Sequence, residues 1–248
     1  MLNAGLCHVT GFEPQPEPLL ALQRTRGPNE LYLPYAVGDG GPHTLKVCRL
    51  SGMTSLLEPD PTTLGVFPTL QPFAEVIERV PLETRRLDDI SEIEHLDLLK
   101  IDIQGSELAV FRNGREKLAQ AVAIHTEVSF ITWYQNQAPF GEVDVELRGQ
   151  GFIPHGFVEV RGRPIGNHLA GGAARPRVNQ LTEADIVYVR DFTRAGVMTT
   201  EQLKHLALIA HHCYGSFDLA LRCVGLLEES HAVAAGSSQR YLSLSGAP

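Results

Sequence analysis

Three carboxylates in this chain close short apolar runs, where a side chain at a strand end can meet a ligand. Asp102 and Glu107 lie in residues 98–111, Leu-Leu-Lys-Ile-Asp-Ile-Gln-Gly-Ser-Glu-Leu-Ala-Val-Phe, and Glu127 lies near the end of the apolar run 121–128. A carboxylate in such a place can accept a proton from a hydroxyl, or bind donors on a ligand. Asp102 and Gln104 interrupt the apolar run at its C-terminal end, where an unpartnered polar group is costly. Ligands of open α/β sheets bind at the carboxyl ends of strands, so Asp102, Gln104 and Glu107 are placed for a site. An equally economical reading makes Asp102 a capping residue of the turn.

The elements around these residues follow from the pattern. Leu98, Leu99, Ile101 and Ile103 form a run of the kind buried on both faces of a parallel sheet. Gly105 turns the chain, Ser106 is placed to cap a helix with Glu107 in its first turn, and Asn113-Gly114 offers a left-handed stop. Upstream, residues 1–5 read as the last turn of a helix capped by Gly5. Strands are expected over 6–12 and 30–37, with a helix over 19–26 between them, which is a βαβ rhythm. Further strands are expected over 43–50 and 76–82, with a hydroxyl-rich loop around Thr54 and Ser55 between them. Downstream, a helix over 143–149 precedes an antiparallel pair, 157–160 and 185–190, separated by a Gly/Arg/Pro-rich excursion over 162–180 read as a mobile loop. Thr199 and Gln202 have capping-box spacing. They open a helical tail with Leu203, Leu206, Ala210 and Cys213 on one face, then Phe217, Leu221, Val224 and Leu227 after Gly215-Ser216. Residues from 232 onward read as a frayed, disordered end. The expected domains are therefore 1–192, 193–231 and 232–248.

Composition narrows the function classes. The chain has 248 residues, 43% of them hydrophobic, enough for one sizeable α/β core. A net charge of -8 without a block of like charges argues against nucleic acid or an anionic membrane as partner. No run approaches the roughly 18 apolar residues of a membrane span, and the first residues lack a signal-peptide pattern. Cys7, Cys48, Cys213 and Cys223 lack metal-ligand spacing and read as free buried thiols, implying a cytoplasmic setting. His205, His211 and His212 read as packing or surface residues, and no metal is expected.

Taken together, Gly11-Phe12-Glu13-Pro14, Ala36-Val37-Gly38-Asp39, Thr54-Ser55-Leu56 and Leu99-Lys100-Ile101-Asp102-Ile103-Gln104-Gly105-Ser106-Glu107 resemble, in that order, the FkbM-type family of S-adenosylmethionine-dependent methyltransferases. The similarity runs from about residue 6 to 189. The resemblance implies a seven-stranded Rossmann-like sheet, mostly parallel with an antiparallel terminal pair. It also implies O-methylation of a hydroxyl on a small molecule or sugar, with S-adenosylmethionine as cofactor. It implies that Glu13 accepts the ribose hydroxyls, as an acidic residue does in dinucleotide folds. Val37, Gly38 and Asp39 would wall the adenine, and Asp102 and Gln104 would face the methionine part or the acceptor. Candidate bases are Asp102, Glu107 and Glu127; His125, deeper on the face of Glu127, is the weaker candidate. The 162–180 loop and the helical tail would form an acceptor lid or the surface of a homo-oligomer.

The chain departs from the family pattern at its front. That pattern places a strand, a Gly-rich turn and a helix ahead of the segment that starts here at Leu6, and only Met1 to Gly5 stand there. The missing strand would be central, leaving two rows of backbone groups unpaired. Two expectations follow. One is a methyltransferase whose true start lies upstream. The other is a non-catalytic remnant or interaction module whose sheet closes up and whose cofactor binding is lost.

Overall fold

The computed structural model describes residues 1–166, 179–194 and 196–245. It is a mixed α/β fold with parallel and antiparallel pairings and several helices. Strand β1 (Val9–Phe12) leads into α1 (Pro16–Thr25), β2 (Glu30–Leu33) and β3 (Ala36–Val37). Next come β4 (Pro42–Cys48), α2 (Pro61–Val66), β5 (Val76–Arg85), β6 (Leu98–Ile101), α3 (Glu107–Arg112) and α4 (Arg115–Leu118). The chain then runs through β7 (Ala123–Ser129), α5 (Phe140–Gly149), β8 (Phe152–Gly162) and β9 (Leu181–Arg190), and ends in α6 (Thr200–Tyr214), α7 (Phe217–Glu229) and α8 (Ser237–Ser245).

The strands form three sheets rather than the single one expected. These are β1-β2, β3-β5-β4 and β6-β7-β9-β8. Parallel pairing joins β1 to β2, β3 to β5 and β6 to β7, while β4-β5, β7-β9 and β8-β9 are antiparallel, so the sheets are not mostly parallel. Pro34 breaks the expected 30–37 strand into β2 and β3, which take different partners; a proline lacks the N–H a ladder requires. Among the described residues β1 pairs with β2 alone and β6 with β7 alone. The closed-up sheet in which β1 joins β6 is therefore not formed.

Packing follows strand alternation. One face of the four-stranded sheet sends Ile101, Ile124, Val128, Ala184, Ile186 and Tyr188 against Val110 and Phe111 of α3 and Val143 and Leu147 of α5, and the β1-β2 pair joins this core through Phe12, Leu31 and Leu33. The other face sends Ala123, Val187 and Val189 against Leu203, Leu206 and Ala210 of α6 and Leu219, Ala220 and Cys223 of α7. A third cluster under β4 unites Cys48, Met53, Leu64, Phe67, Trp133 and Tyr134.

Local expectations were met unevenly. Gly5 adopts the left-handed cap, and the Thr199–Gln202 capping box forms with both of its hydrogen bonds. The strand 157–160 is longer than expected and pairs antiparallel with β9 as foreseen. Helix α1 begins at Pro16, because proline suits a first helical turn whose N–H groups have no partners. Strand β6 is only half-buried at Leu98 and Leu99 because it lies on the edge of its sheet. Asn113 has φ -106, so α3 stops without a left-handed residue. Cys213 is exposed, and of the expected stripe Phe217, Leu221, Val224 and Leu227 only Leu227 is buried, beside Leu219, Ala220 and Cys223. The tail expected to be disordered from 232 contains α8, held where Glu228 accepts from Ser238 Oγ (2.6 Å) and Ser238 N (3.0 Å). Of the four free thiols only Cys48 and Cys223 are buried. Most of the 162–180 excursion, residues 167–178, lies outside the described residues. No helix among them is long and apolar enough to cross a membrane.

Candidate active site

Pairing of β6 with β7 sets Ile101 opposite Thr126, so the next step of the register brings Asp102 beside Glu127. Pairing of β7 with β9 sets Glu127 opposite Asp185 and Ser129 opposite Glu183. Alternation puts His125, Glu127 and Ser129 on one face of β7, and four acidic groups converge there from three strands. Arg161 of β8 answers them. Its guanidinium donates to Glu127 Oε1 (3.1 Å), Asp185 Oδ2 (2.8 Å) and Glu159 Oε2 (2.6 Å), and lies 3.7 Å from Glu183. Arg163 reaches Glu183 at 3.3 Å, and the Trp133 indole donates to the same carboxylate at 2.9 Å.

Glu127 is buried, and burial is the main reason its carboxyl is pushed up to about 8. The negative charges of Asp102, Glu183 and Glu107 act in the same direction, while Arg161 opposes them. A carboxyl that exchanges its proton near neutrality suits general base work. Asp102, by contrast, is exposed.

Glu107 has a different task. It is buried, and its Oε1 accepts from Ile103 N (2.9 Å) and Gly105 N (3.1 Å), so it ties the turn between β6 and α3. Ser106, expected to cap α3, makes no side-chain cap hydrogen bond. Burial raises the Glu107 carboxyl pKa, and the two backbone N–H groups resist that rise. His125 keeps a buried Nε2 without a hydrogen bond, 3.7 Å from Asp185, while burial and Lys100 hold its pKa down.

The residues expected at the adenine lie elsewhere. Gly38 and Asp39 line a cavity of about 420 Å³ with His43, Leu56, Gly105 and Ser106. That volume falls in the range of small-molecule sites. Asp39 accepts from His43 Nε2 (2.8 Å) and Gly41 N (2.9 Å), and these bonds hold its carboxyl down at about 2, an acceptor at every physiological pH. Val37 is half-buried at the end of β3 and packs on the main core. Asp102 and Glu127 do not line the cavity, which meets their cluster through Gly105, the neighbour of Gln104. Glu13 follows β1 on a separate sheet, and its Oε1 accepts from Gln15 N at 2.9 Å, capping the proline-rich turn. Among the described residues Asp39 Oδ1 accepts from Gly41, His43 and Thr84 and Glu13 Oε1 from Gln15, so each carboxylate keeps its second oxygen for a ligand donor, an adenine amino group at Asp39 or a ribose hydroxyl at Glu13.

Sequence reasoning missed Arg161 and the pair Trp133-Tyr134. Arg161 shares a face of β8 with Glu159, opposite Glu183 and Asp185 of β9, a signal visible only once the β8-β9 register is known. Among the described residues no group of three or more metal-ligating side chains forms.

Fold and site together describe an α/β domain with a carboxylate cluster at strand ends beside a cavity of small-molecule size. Residues 1–154 match the FkbM methyltransferase domain, and the chain belongs to that family. Over 63 residues it is 43% identical to the 2-O-methyltransferase NoeI of Sinorhizobium fredii, covering 24% of this chain and 26% of that protein. The chain thus matches about a quarter of that relative's length. No solved structure matches it.

Proposed function

We propose that this chain is an S-adenosylmethionine-dependent methyltransferase acting on a hydroxyl of a small molecule or sugar. Its membership of the FkbM family and its likeness to a protein named a 2-O-methyltransferase support the reaction class. The observation that carries the chemistry is Glu127, a buried carboxyl beside Asp102 whose proton is exchangeable near neutral pH. S-adenosylmethionine, when bound, supplies an electrophilic methyl group on a sulfonium. At the cavity Asp39 would accept the adenine amino group, with Gly38 beside it and Val37 packed on the core behind. Glu13 and Asp102 are the remaining carboxylates offered to the cofactor. Glu127, once ionised, would take the proton of the acceptor hydroxyl and leave that oxygen nucleophilic. Arg161 keeps the surrounding acids paired, so that the ionised cluster remains tolerable.

A second reading, a non-catalytic remnant or interaction module, draws on the edges of β1 and β6 that pair with no strand among the described residues. Calorimetric titration of the chain with S-adenosylmethionine separates the two. Micromolar binding supports the transferase, and absence of heat at millimolar cofactor supports the remnant.

A further inference from the structure

Gln104 is a non-glycine residue in the left-handed region, with φ 57. Such backbone costs free energy, and it persists where the surroundings enforce it, often at functional positions. Gly105 beside it also has positive φ, so the chain could make this turn with glycine at both positions. The side chain explains why glutamine stands there. Its Nε2 donates to Asp102 Oδ1 at 2.7 Å and to Glu127 Oε2 at 3.3 Å, which occupies both amide protons. Its Oε1 lies 3.1 Å from the Tyr134 hydroxyl, whose proton it shares with the Met53 carbonyl at 3.2 Å. The backbone carbonyl of Gln104 accepts from Ser55 Oγ at 2.6 Å. Tyr134 and Ser55 are buried, so the residue is held from two sides while its amide faces the two acids.

We propose that Gln104 is a positioning residue: its amide clamps the Asp102 and Glu127 carboxylates into one pair aimed at the acceptor hydroxyl. It contacts neither cofactor nor acceptor in this role, because both donor protons are spent on the acids. Tyr134 fixes which way the amide points, since its hydroxyl gives a proton to the oxygen and leaves the NH2 end for the carboxylates. The proposal deepens the transferase reading and rests on it for the purpose of the pair. The clamp itself can be tested without any acceptor.

The test is a carbon-13 NMR titration of the Glu127 carboxyl in the full chain, assigned with Glu127→Gln. It is read in wild type, Gln104→Met and Tyr134→Phe, alongside thermal melting. Methionine keeps the volume of glutamine and removes the amide, so hydration of the site changes little. Around Glu127 stand Asp102 after β6, Glu107 of α3, Glu183 and Asp185 of β9, and Arg161 of β8, all unchanged in these variants. Loss of a donor to the ionised form should make Glu127 at least about threefold weaker as an acid in Gln104→Met. Tyr134→Phe should shift it the same way by a smaller factor. A Glu127 midpoint that stays put in Gln104→Met, with or without a lower melting temperature, would reduce Gln104 to a turn residue and overturn the proposal. If wild type fails to bind S-adenosylmethionine while the midpoints move as expected, the transferase reading fails and the clamp stands.

Discussion

Glu13, just past the end of β1, and Glu127, near the end of β7, are both glutamates beside a parallel strand pair, yet the two regions treat them differently. β7 is paired on both sides, covered by α5 on one face and approached by α6 on the other, so Glu127 is buried among acids and an arginine. Among the described residues β1 has one partner, and Glu13 stays half-exposed, joined to the turn that follows it. The contrast teaches that residue type at a strand end does not set chemistry. The number of strands beside it does, because pairing on both sides removes water and brings in other charges.

The largest expected effect lies in the turn that holds the four-stranded region together. Glu107→Ala leaves the N–H groups of Ile103 and Gly105 without an acceptor inside the protein. It should cost about 3 kcal/mol, lowering the melting temperature by roughly 6–12 °C. A drop below about 3 °C would mean that the turn is not enforced by this carboxylate.

Glu127 itself sharpens the comparison through pH. Its folded pKa of about 8 lies above the ordinary 4.5, so the folded state holds a proton that the unfolded chain releases. That stabilisation is complete below about pH 4.5 and is lost as pH rises through about 8. Glu127→Gln mimics the protonated acid. The variant should match wild type in urea unfolding near pH 5 and exceed it above pH 8, by on the order of a few kcal/mol. Equal stability of the two at pH 9 would show that Glu127 is not perturbed.

Glu13→Gln should do least to the fold. The amide oxygen can still accept from Gln15 N, so stability should change by less than about 0.5 kcal/mol. If Glu13 also holds the cofactor ribose, affinity for S-adenosylmethionine in calorimetry should fall about tenfold. Unchanged affinity would leave Glu13 a cap alone and deepen the contrast with Glu127.

Much of this contrast was legible in the sequence. The strand-turn-helix order of the motif from Leu99 to Glu107 and the capping box at Thr199 are local signals, and each forms where its spacing placed it, whereas Glu13 ends a strand of a separate sheet from Asp102. What was not legible depends on partners distant in sequence. The break at Pro34 was missed, because a proline is tolerated on a strand edge and only the different partners of β2 and β3 show that the strand divides. The Ser106 cap does not form, and Glu107 instead reaches back to the N–H groups of the turn before the helix. Arg161 became a site residue only when β8 paired with β9. The buried stripe of α7 was misjudged because its helical period fits two adjacent faces, and packing against α6 chose between them.

The most direct test of the central claim is transfer of labelled methyl from S-adenosylmethionine to a panel of hydroxyl-bearing sugars and small alcohols, followed against pH. Wild type should label a hydroxyl at a rate that rises through about pH 8, and Glu127→Gln should lose about a hundredfold or more of it. A Glu127→Gln variant that transfers methyl as fast as wild type, with the same pH profile, would contradict the account.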